Sequence, residues 1–479
     1  MITTRDEYAA SLRALRRKVY AMGQKVEDVT THPLTRPSFL AVAETYEQAR
    51  DPENEALFMA ESRLIGRKVN RFVHIHGSTD DLVAKVKMQR LLGQVTGCCF
   101  QRCVGMDALN ALHSTTYEVD ETHGTQYHQR FLAFLRRVQE DNLVCGGAMT
   151  DSKGDRKLRP SQQEDPDMYV HVVGQDKAGI VVRGAKFHQT GTLNAHEVIV
   201  MPTTAMSPEE RDYAISFAVP TDAEGLVFIL GRQPSDTRKL EGETIDVGSP
   251  YGGHEVMVVF NDVFVPWERV FLFGETEFAG ILVERFAAYH RQSYGGCKVG
   301  TGDVLIGAAA LAAELNGVGS VSHVVDKLVE MTHLNETMHA CGLACSTQGR
   351  PTRSGAYMVD PLLANVCKLN VTRFPYEMAR LAEDLAGGLL VTMPSQRDLD
   401  DPEVGPLIRK YAKAHGPAVD RMRVLRLIEY LTTGPGGAAY RTESMHGAGS
   451  PQAQKIMIGR LAGFEDKKRL AKRLAGMEE

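Results

Sequence analysis

Apolar residues recur at helical spacing through the first part of the chain. Tyr8, Leu12, Leu15 and Val19 form one set, followed by Phe39, Val42 and Tyr46, by Leu57, Met59 and Leu64, and by Leu82, Val83 and Val86. A period of three to four residues marks a helix that buries one face. The Pro-bearing stretch 30–37 interrupts this habit as a loop. A last helix is expected over 125–139, with Phe131, Leu132, Phe134 and Leu135 on its apolar side. Near Asn142 the period changes. Short runs rich in Val, Ile and aromatic residues, bounded by Gly, Asp and Pro, occupy 169–173, 179–183, 196–201, 214–219, 226–230 and 255–264. Such residues favour a pleated, half-buried surface, so these runs predict strands. Their spacing suits a β-barrel or sandwich of roughly 120 residues. After Pro266 and Trp267 helical spacing returns, over 308–315, 324–345, 361–385 and 406–431, with loops at 434–437 and 447–451. The basic stretch 467–473 reads as a solvated helix end that complements the helix dipole. The predicted class is α+β, with an N-terminal helical domain (1–141), a central β-barrel domain (142–275) and a C-terminal helix bundle (276–479).

Composition narrows the function classes. The 479 residues are 43% hydrophobic with a formal net charge of −5, an ordinary globular balance with ample core. Mild acidity without a long Lys/Arg run argues against nucleic acid. The first residues lack the apolar core of a secretory leader, and no run approaches the roughly 18 apolar residues of a membrane span. Eight cysteines in such a chain point to a reducing, cytoplasmic setting with free or metal-bound thiols.

Three of those thiols fall within Cys98-Cys99-Phe100-Gln101-Arg102-Cys103. The flanks read as helix, which would place Cys99 and Cys103 on one face and turn Cys98 about 100° away. His290 and Cys297, seven apart on a predicted helix, can also share a side. The four together make a three-thiolate, one-imidazole set that zinc or an iron–sulfur cluster would accept. The plain alternative is buried cysteines acting as small hydrophobes beside a hydrogen-bonded core histidine. His339, Cys341 and Cys345, set among small apolar neighbours, read as packing, as do Cys145 and Cys367.

Further polar candidates lie in loops and at strand ends. Small residues at 146–156 let a flat ring approach the backbone, where N–H groups, Thr150 and Lys153 can bond ring oxygens or phosphates; the alternative is a solvated turn. Thr190, at the end of 184–191, is either a donor to a flat cofactor or a turn residue. No Gly-x-Gly-x-x-Gly follows a strand and no Walker sequence exists, so neither a dinucleotide fold nor a P-loop is supported. Glu255 opens an apolar strand, Glu443 enters a Gly-rich loop, and Tyr294 and Lys298 lie beside His290 and Cys297. These four are the acid–base candidates.

At this point the residues carry a likeness. Thr96-Gly-Cys-Cys99-Phe-Gln-Arg-Cys103-Val-Gly-Met-Asp, His290 with Cys297-Lys298, Met149-Thr-Asp-Ser-Lys-Gly-Asp-Arg156 and Met445-His-Gly-Ala-Gly-Ser-Pro451 together resemble the 4-hydroxybutyryl-CoA dehydratase family, over almost the whole chain. The wider group includes the large component of 4-hydroxyphenylacetate 3-monooxygenase. It shares the Thr-Asp-x-Lys-Gly-Asp-Arg phrase, which supports flavin and fold only. The resemblance implies an acyl-CoA dehydrogenase-like architecture, FAD, a 4Fe-4S cluster and a homotetramer built as a dimer of dimers. Cys99, Cys103, Cys297 and His290 would hold the cluster, the imidazole being the ligand most easily displaced. Met149, Thr150, Asp151, Lys153, Asp155 and Arg156, with His446 and Gly447, would line the FAD, and Thr190 would approach the flavin N5. The implied reaction is radical dehydration of a CoA thioester, 4-hydroxybutyryl-CoA, to crotonyl-CoA, with vinylacetyl-CoA Δ-isomerisation alongside. His290 would be the first base, with Tyr294, Glu443 and Glu255 for other proton steps and Lys298 balancing charge. Two alternatives are a flavin-dependent aromatic monooxygenase of the same fold, which has no use for the four ligands, and a non-enzymatic flavin/iron–sulfur redox protein.

Overall fold

The computed structural model describes residues 1–232 and 249–477. Helix α1 (Arg5–Ala14) is opened by a capping box in which Thr4 accepts from Glu7 N–H, and it ends at Leu15 in extended backbone. The helical spacing through Val19 therefore stops early. Val19 falls in strand β1 (Lys18–Ala21), which turns through Met22-Gly23, both at positive φ, into β2 (Gln24–Lys25). Helix α2 (Arg36–Arg50) precedes a separate hairpin, β3 (Met59–Ser62) with β4 (Arg67–Asn70). Helices α3 (Thr79–Thr96), α4 (Cys103–His123) and α5 (Tyr127–Asp141) complete the first part.

The middle of the chain supplies β5 (Cys145–Ala148), β6 (His171–Gln175), β7 (Gly179–Thr190), β8 (Glu197–Val200), β9 (Ile215–Pro220), β10 (Leu226–Leu230), β11 (Glu255–Pro266) and β12 (Val270–Phe273). They form two sheets, ordered β2-β1-β10-β11-β7-β6 and β12-β9-β8-β5. The pairs β1–β10 and β5–β8 are parallel and the others antiparallel. Neither sheet closes among the described residues, so the expected barrel is corrected to two open sheets. Their faces meet in one core, where Phe217 of β9 lies 6.0 Å from Phe260 of β11, ring to ring. Helices take the place a closing strand would need. Phe131 and Phe134 of α5 pack on Phe271 of β12 at 5.7 and 5.5 Å. Helix α4 lies so close to β5 that a Cβ on Gly105 would come within 2.0 Å of the Cys145 carbonyl. Covered in this way, β5, β8 and most of β9 are buried on every residue instead of alternating.

The C-terminal part is built around α6 (Thr276–Leu315), 40 residues long. By length and composition it would cross a membrane, but 67% of its most apolar window is buried inside the protein, where the core takes up its apolar face. Backbone-to-backbone contact with α3 requires glycine: a Cβ on Gly93, Gly296 or Gly300 would lie 2.6, 2.4 or 2.1 Å from a carbonyl of the facing helix. Around α6 stand α7 (Ser322–Thr347), α8 (Pro361–Val371), α9 (Phe374–Ala386) and α10 (Ala418–Thr432), followed by α11 (Pro451–Leu461) and α12 (Phe464–Leu474). The expected helix at 361–385 is two helices, because Pro375 is accepted only in a first turn. The stretch at 434–437, expected as a loop, instead continues as short helical turns: Pro435–Gly437, a π-helical Ala438–Glu443 and Ser444–His446.

Candidate functional site

The Cys98–Arg102 stretch is not helical. Gly97, at φ 61°, caps α3 in the left-handed region, Gln101 is also left-handed at φ 58°, and Cys103 opens α4. A single helical face for Cys99 and Cys103 is therefore corrected: the chain breaks between two helices, and the break brings the thiols together. The two thiols are close enough to act on each other. That contact lowers the Cys99 thiol and raises Cys103 well above its ordinary range, with burial adding to the rise. Arg102 anchors the turn. Fully buried, it stacks on Tyr46 and Phe72 at 4.5 and 5.3 Å and donates to Thr45 Oγ1 and Asn142 Oδ1 at 2.9 and 2.8 Å. No disulfide joins any of the eight cysteines.

Helix α6 presents His290, Ser293, Tyr294, Cys297 and Lys298 to the same region. With Cys99, Cys103, Val104, Thr190 and Glu443 they line one small cavity. His290 Nδ1 meets Asp107 Oδ2 at 2.8 Å, so Nε2 is the nitrogen left to the cavity. Asp107, one turn beyond Cys103 on α4, also accepts from Lys85 Nζ at 2.6 Å and Ser293 Oγ at 3.1 Å. Burial alone would raise the Asp107 carboxyl, but Lys85 and His290 hold it below the usual range. Lys85 is fully buried and donates also to the Tyr289 carbonyl and Gln292 Oε1, both at 2.9 Å. Burial pushes the Cys297 thiol up to about 12, and burial with the Glu443 carboxylate pushes Tyr294 well above the phenol range. For Lys298, burial works against the charge. Glu443, 3.8 Å away, and the three thiols outweigh it and raise the ammonium.

The first sheet contributes the opposite wall. Thr190 and Glu255 are register partners across β7 and β11, and Thr190 Oγ1 donates to Glu255 Oε2 at 2.6 Å. Glu255 stands behind Thr190 and is not itself in the lining. Burial and then Glu443 push its carboxyl well above the usual range, against the pull of the Thr190 hydroxyl. Of the 149–156 stretch, Asp151 is turned inward, ion-paired with buried Lys186 at 2.9 Å and accepting from Val170 N–H at 2.9 Å. The Met149 carbonyl accepts from Lys186 Nζ at 2.9 Å, and the Thr150 carbonyl from Phe187 N–H at 2.8 Å. Lys153 takes a left-handed φ of 72°, while Asp155 and Arg156 are exposed. Burial and then Lys153, His446 and Arg156 lower the imidazole of His188, so these four side chains share a neighbourhood. Gly447 touches Tyr294: a Cβ there would come within 2.1 Å of the phenol oxygen.

The cavity thus gathers Cys99, Cys103, Thr190, His290, Tyr294, Cys297, Lys298 and Glu443. The 149–156 stretch and His446 lie outside its lining. Cys341 and Cys345 sit on α7 where Gly342 meets Gly295 of α6, and Cys345 Sγ donates to the Gly342 carbonyl at 3.1 Å, a packing contact. Among the described residues, no group of three or more His, Cys, Asp or Glu side chains is arranged to hold a metal ion. Sequence reasoning missed Asp107, Lys85 and Lys368; charged residues in otherwise apolar helical stretches were the available signal.

Residues 4–272 match the family model described as 4-hydroxyphenylacetate 3-hydroxylase N terminal, and residues 279–476 match its C-terminal counterpart. The chain is 56% identical over 490 aligned residues to 4-hydroxybutyryl-CoA dehydratase/vinylacetyl-CoA-Δ-isomerase of Clostridium aminobutyricum, covering 100% of both. A solved structure of an oxygen-tolerant archaeal 4-hydroxybutyryl-CoA dehydratase from N. maritimus superimposes with a TM-score of 0.98 at 55% identity, covering 100% of this chain and 96% of that one. The oxygenase component of 4-hydroxyphenylacetate 3-monooxygenase, complexed with FAD, has the same fold, with a TM-score of 0.88 at 24% identity and 99% of both chains covered.

Proposed function

This chain belongs to the 4-hydroxyphenylacetate 3-hydroxylase family, and from that premise we propose that it dehydrates 4-hydroxybutyryl-CoA to crotonyl-CoA and isomerises vinylacetyl-CoA. The relationship to the clostridial and archaeal dehydratases supports this reading over the aromatic hydroxylation of more distant members. The observation that carries it is the cavity itself: three thiols and one imidazole, drawn from both ends of the chain, around a space shared with Thr190, Tyr294, Lys298 and Glu443.

We assign two resident groups, FAD and a 4Fe-4S cluster. The chemistry of the donor set would suit the cluster, since three thiols, soft ligands once deprotonated, and an imidazole line one space. Cys99, Cys103, Cys297 and His290 would hold it, with the Asp107 carboxylate fixing the imidazole through Nδ1, the usual support of a metal-binding histidine. FAD binding is supported by the flavin complex of the family fold, and Thr190, the 149–156 stretch and the 446–450 loop would receive it. When bound, the flavin supplies one-electron chemistry and the cluster a Lewis acid for the leaving hydroxyl.

The proton balance shows what the protein must add. Going from 4-hydroxybutyryl to crotonyl, one proton leaves the α carbon and one the β carbon, one is returned at the γ carbon, and one departs with the hydroxyl as water. A thioester acidifies only the α position. Isomerisation needs only an α loss and a γ gain. The cavity offers His290 through Nε2, the Tyr294 hydroxyl and Glu443 for these transfers, with Glu255 behind Thr190 as a carboxyl held neutral and able to donate. Buried Lys298 balances negative charge in the cavity. The acyl-CoA dehydrogenase-like description is supported by the helix, sheet, helix order. The homotetramer is proposed from the family likeness; Phe464, Leu470 and Leu474, 58, 54 and 85% exposed on α12, offer apolar surface for a contact between copies. The unbridged cysteines support a cytoplasmic setting.

Protein purified without air and assayed with 4-hydroxybutyryl-CoA tests the reading. Crotonyl-CoA formation by protein containing iron, sulfide and flavin is expected. Iron-free yellow protein that hydroxylates a phenol would replace the proposal with the monooxygenase alternative.

A further inference from the structure

Three buried cations grip one stretch of backbone. Lys298 Nζ donates to the Ala439 carbonyl at 3.0 Å, Lys368 Nζ donates to the Ser444 carbonyl, and Arg291 Nε donates to the Ala448 carbonyl at 3.0 Å. Two come from α6 and one from α8, and all three are at least nine-tenths buried. The gripped stretch is the π-helical Ala438–Glu443 with the turn and loop after it, the segment that carries Glu443 into the cavity. π-Helical turns are rare and tend to mark functional positions.

Burying a lysine is costly unless its charge and its N–H groups are used. Lys298 has Glu443 at 3.8 Å. Lys368 is held differently, by the Ser444 carbonyl and by the face of Tyr294, whose ring centre lies 4.8 Å from Nζ. Tyr294 also has Lys298 5.7 Å from its ring centre, and its phenol oxygen abuts Gly447. Arg291 is tied back to α8 through Asn365 Oδ1 at 2.9 Å. Carbonyl, cation and ring therefore interlock, with Tyr294 between the two lysines and the segment across the top.

We infer that Lys368 is a positioning residue of the cavity: with Lys298 and Arg291 it pins segment 438–448 by its carbonyls and so fixes Glu443 opposite His290 and Tyr294. Burial, Arg291 and Lys298 draw the Lys368 ammonium down to about 7. Its surroundings thus disfavour a lysine except for the contact it makes. A pinned segment lets this turn hold a carboxylate at fixed distance, where a displacement of about 1 Å would cost on the order of a hundredfold in rate.

The proposal rests on the dehydratase reading only for its kinetic arm. Lys368→Met keeps the stem and removes the donor. Expected are a rise of at least about tenfold in hydrogen-exchange rate of peptides covering 438–449, with α6 peptides unchanged, and a fall of about tenfold or more in kcat at little changed KM. Lys368→Arg, which can still donate, should recover most of both. Arg291→Met gives an independent arm, with faster exchange confined to 446–449. Unchanged exchange over 438–449 in both Met variants would overturn the inference. So would a Lys368→Met protein that melts earlier yet keeps wild-type kcat per bound flavin. If wild-type protein forms no crotonyl-CoA, the dehydratase reading fails while the exchange measurement still decides the pin.

Discussion

At the scale of single residues, the four donors carry the account. Cys99→Ala and Cys297→Ala should each lose iron and dehydration together, read by iron quantification and crotonyl-CoA formation; an active variant with full iron would refute the assignment. Asp107 and Lys85 form a buried pair at 2.6 Å. Removing one partner leaves an uncompensated buried charge, so Asp107→Ala should cost about 3–5 kcal/mol in denaturant unfolding. Glu255 gives a pH prediction. Its carboxyl is raised in the fold, so the folded state binds more protons than the unfolded chain above the ordinary carboxylate range. Stability from this group is then present at low pH and lost as pH rises toward the folded value. Glu255→Gln should flatten that loss in melting curves taken from pH 5 to 8 while lowering turnover; a steeper loss in the variant would contradict the buried, protonated carboxyl. Cys99, Cys103, His290 and Cys297, which the fold gathers around one cavity, were legible in the sequence as unusual residue types at suggestive spacings. Asp107 was not, because a lone aspartate in a helix gives no sign of which histidine, 183 positions away, it will meet.

At the scale of elements, periodicity found the long helices and most strands but misjudged where they end. The break at Gly97 is the instructive case. Apolar residues on both sides fit one helix, yet Gly97 and Gln101 adopt positive φ and the chain turns, so Cys99 and Cys103 meet through a loop. The π-helical Ala438–Glu443 was hidden for the opposite reason, since its glycine-rich neighbours suggested a loop. The α4–β5 contact tests the element packing. A side chain at Gly105 would strike the Cys145 carbonyl. Gly105→Ala should therefore destabilise the fold by about 1–3 kcal/mol and loosen Cys103, two residues earlier. The measurement is thermal unfolding of apo and iron-loaded protein, and an unchanged melting temperature would contradict the close packing.

At the scale of the whole molecule, the helix, sheet, helix order was legible because each part has its own period. The open arrangement of the two sheets was not, because closure depends on which strands lie at the edges and what covers them. Strand β1 joins the central sheet from far up the chain, a parallel pairing with β10 that no local pattern announces. The cavity has the same long-range character, assembled from residues near 100, 190, 290 and 443. Its chemistry depends on the whole fold holding these together. The buried thiols, Cys297 at about 12 and Cys103 well above its ordinary range, would also bear on the loading of the proposed cluster. Ligation needs thiolates, so loading releases protons and apo protein should take up iron and sulfide more completely at pH 8.5 than at pH 7. The measurement that tests the central claim most directly is a single anaerobic preparation in which iron, sulfide, flavin and crotonyl-CoA formation from 4-hydroxybutyryl-CoA are quantified together. About four irons and one FAD per chain with dehydration that disappears when the iron is removed is the predicted result. Dehydration that persists in iron-free protein, or a fully loaded protein without dehydration, would contradict it.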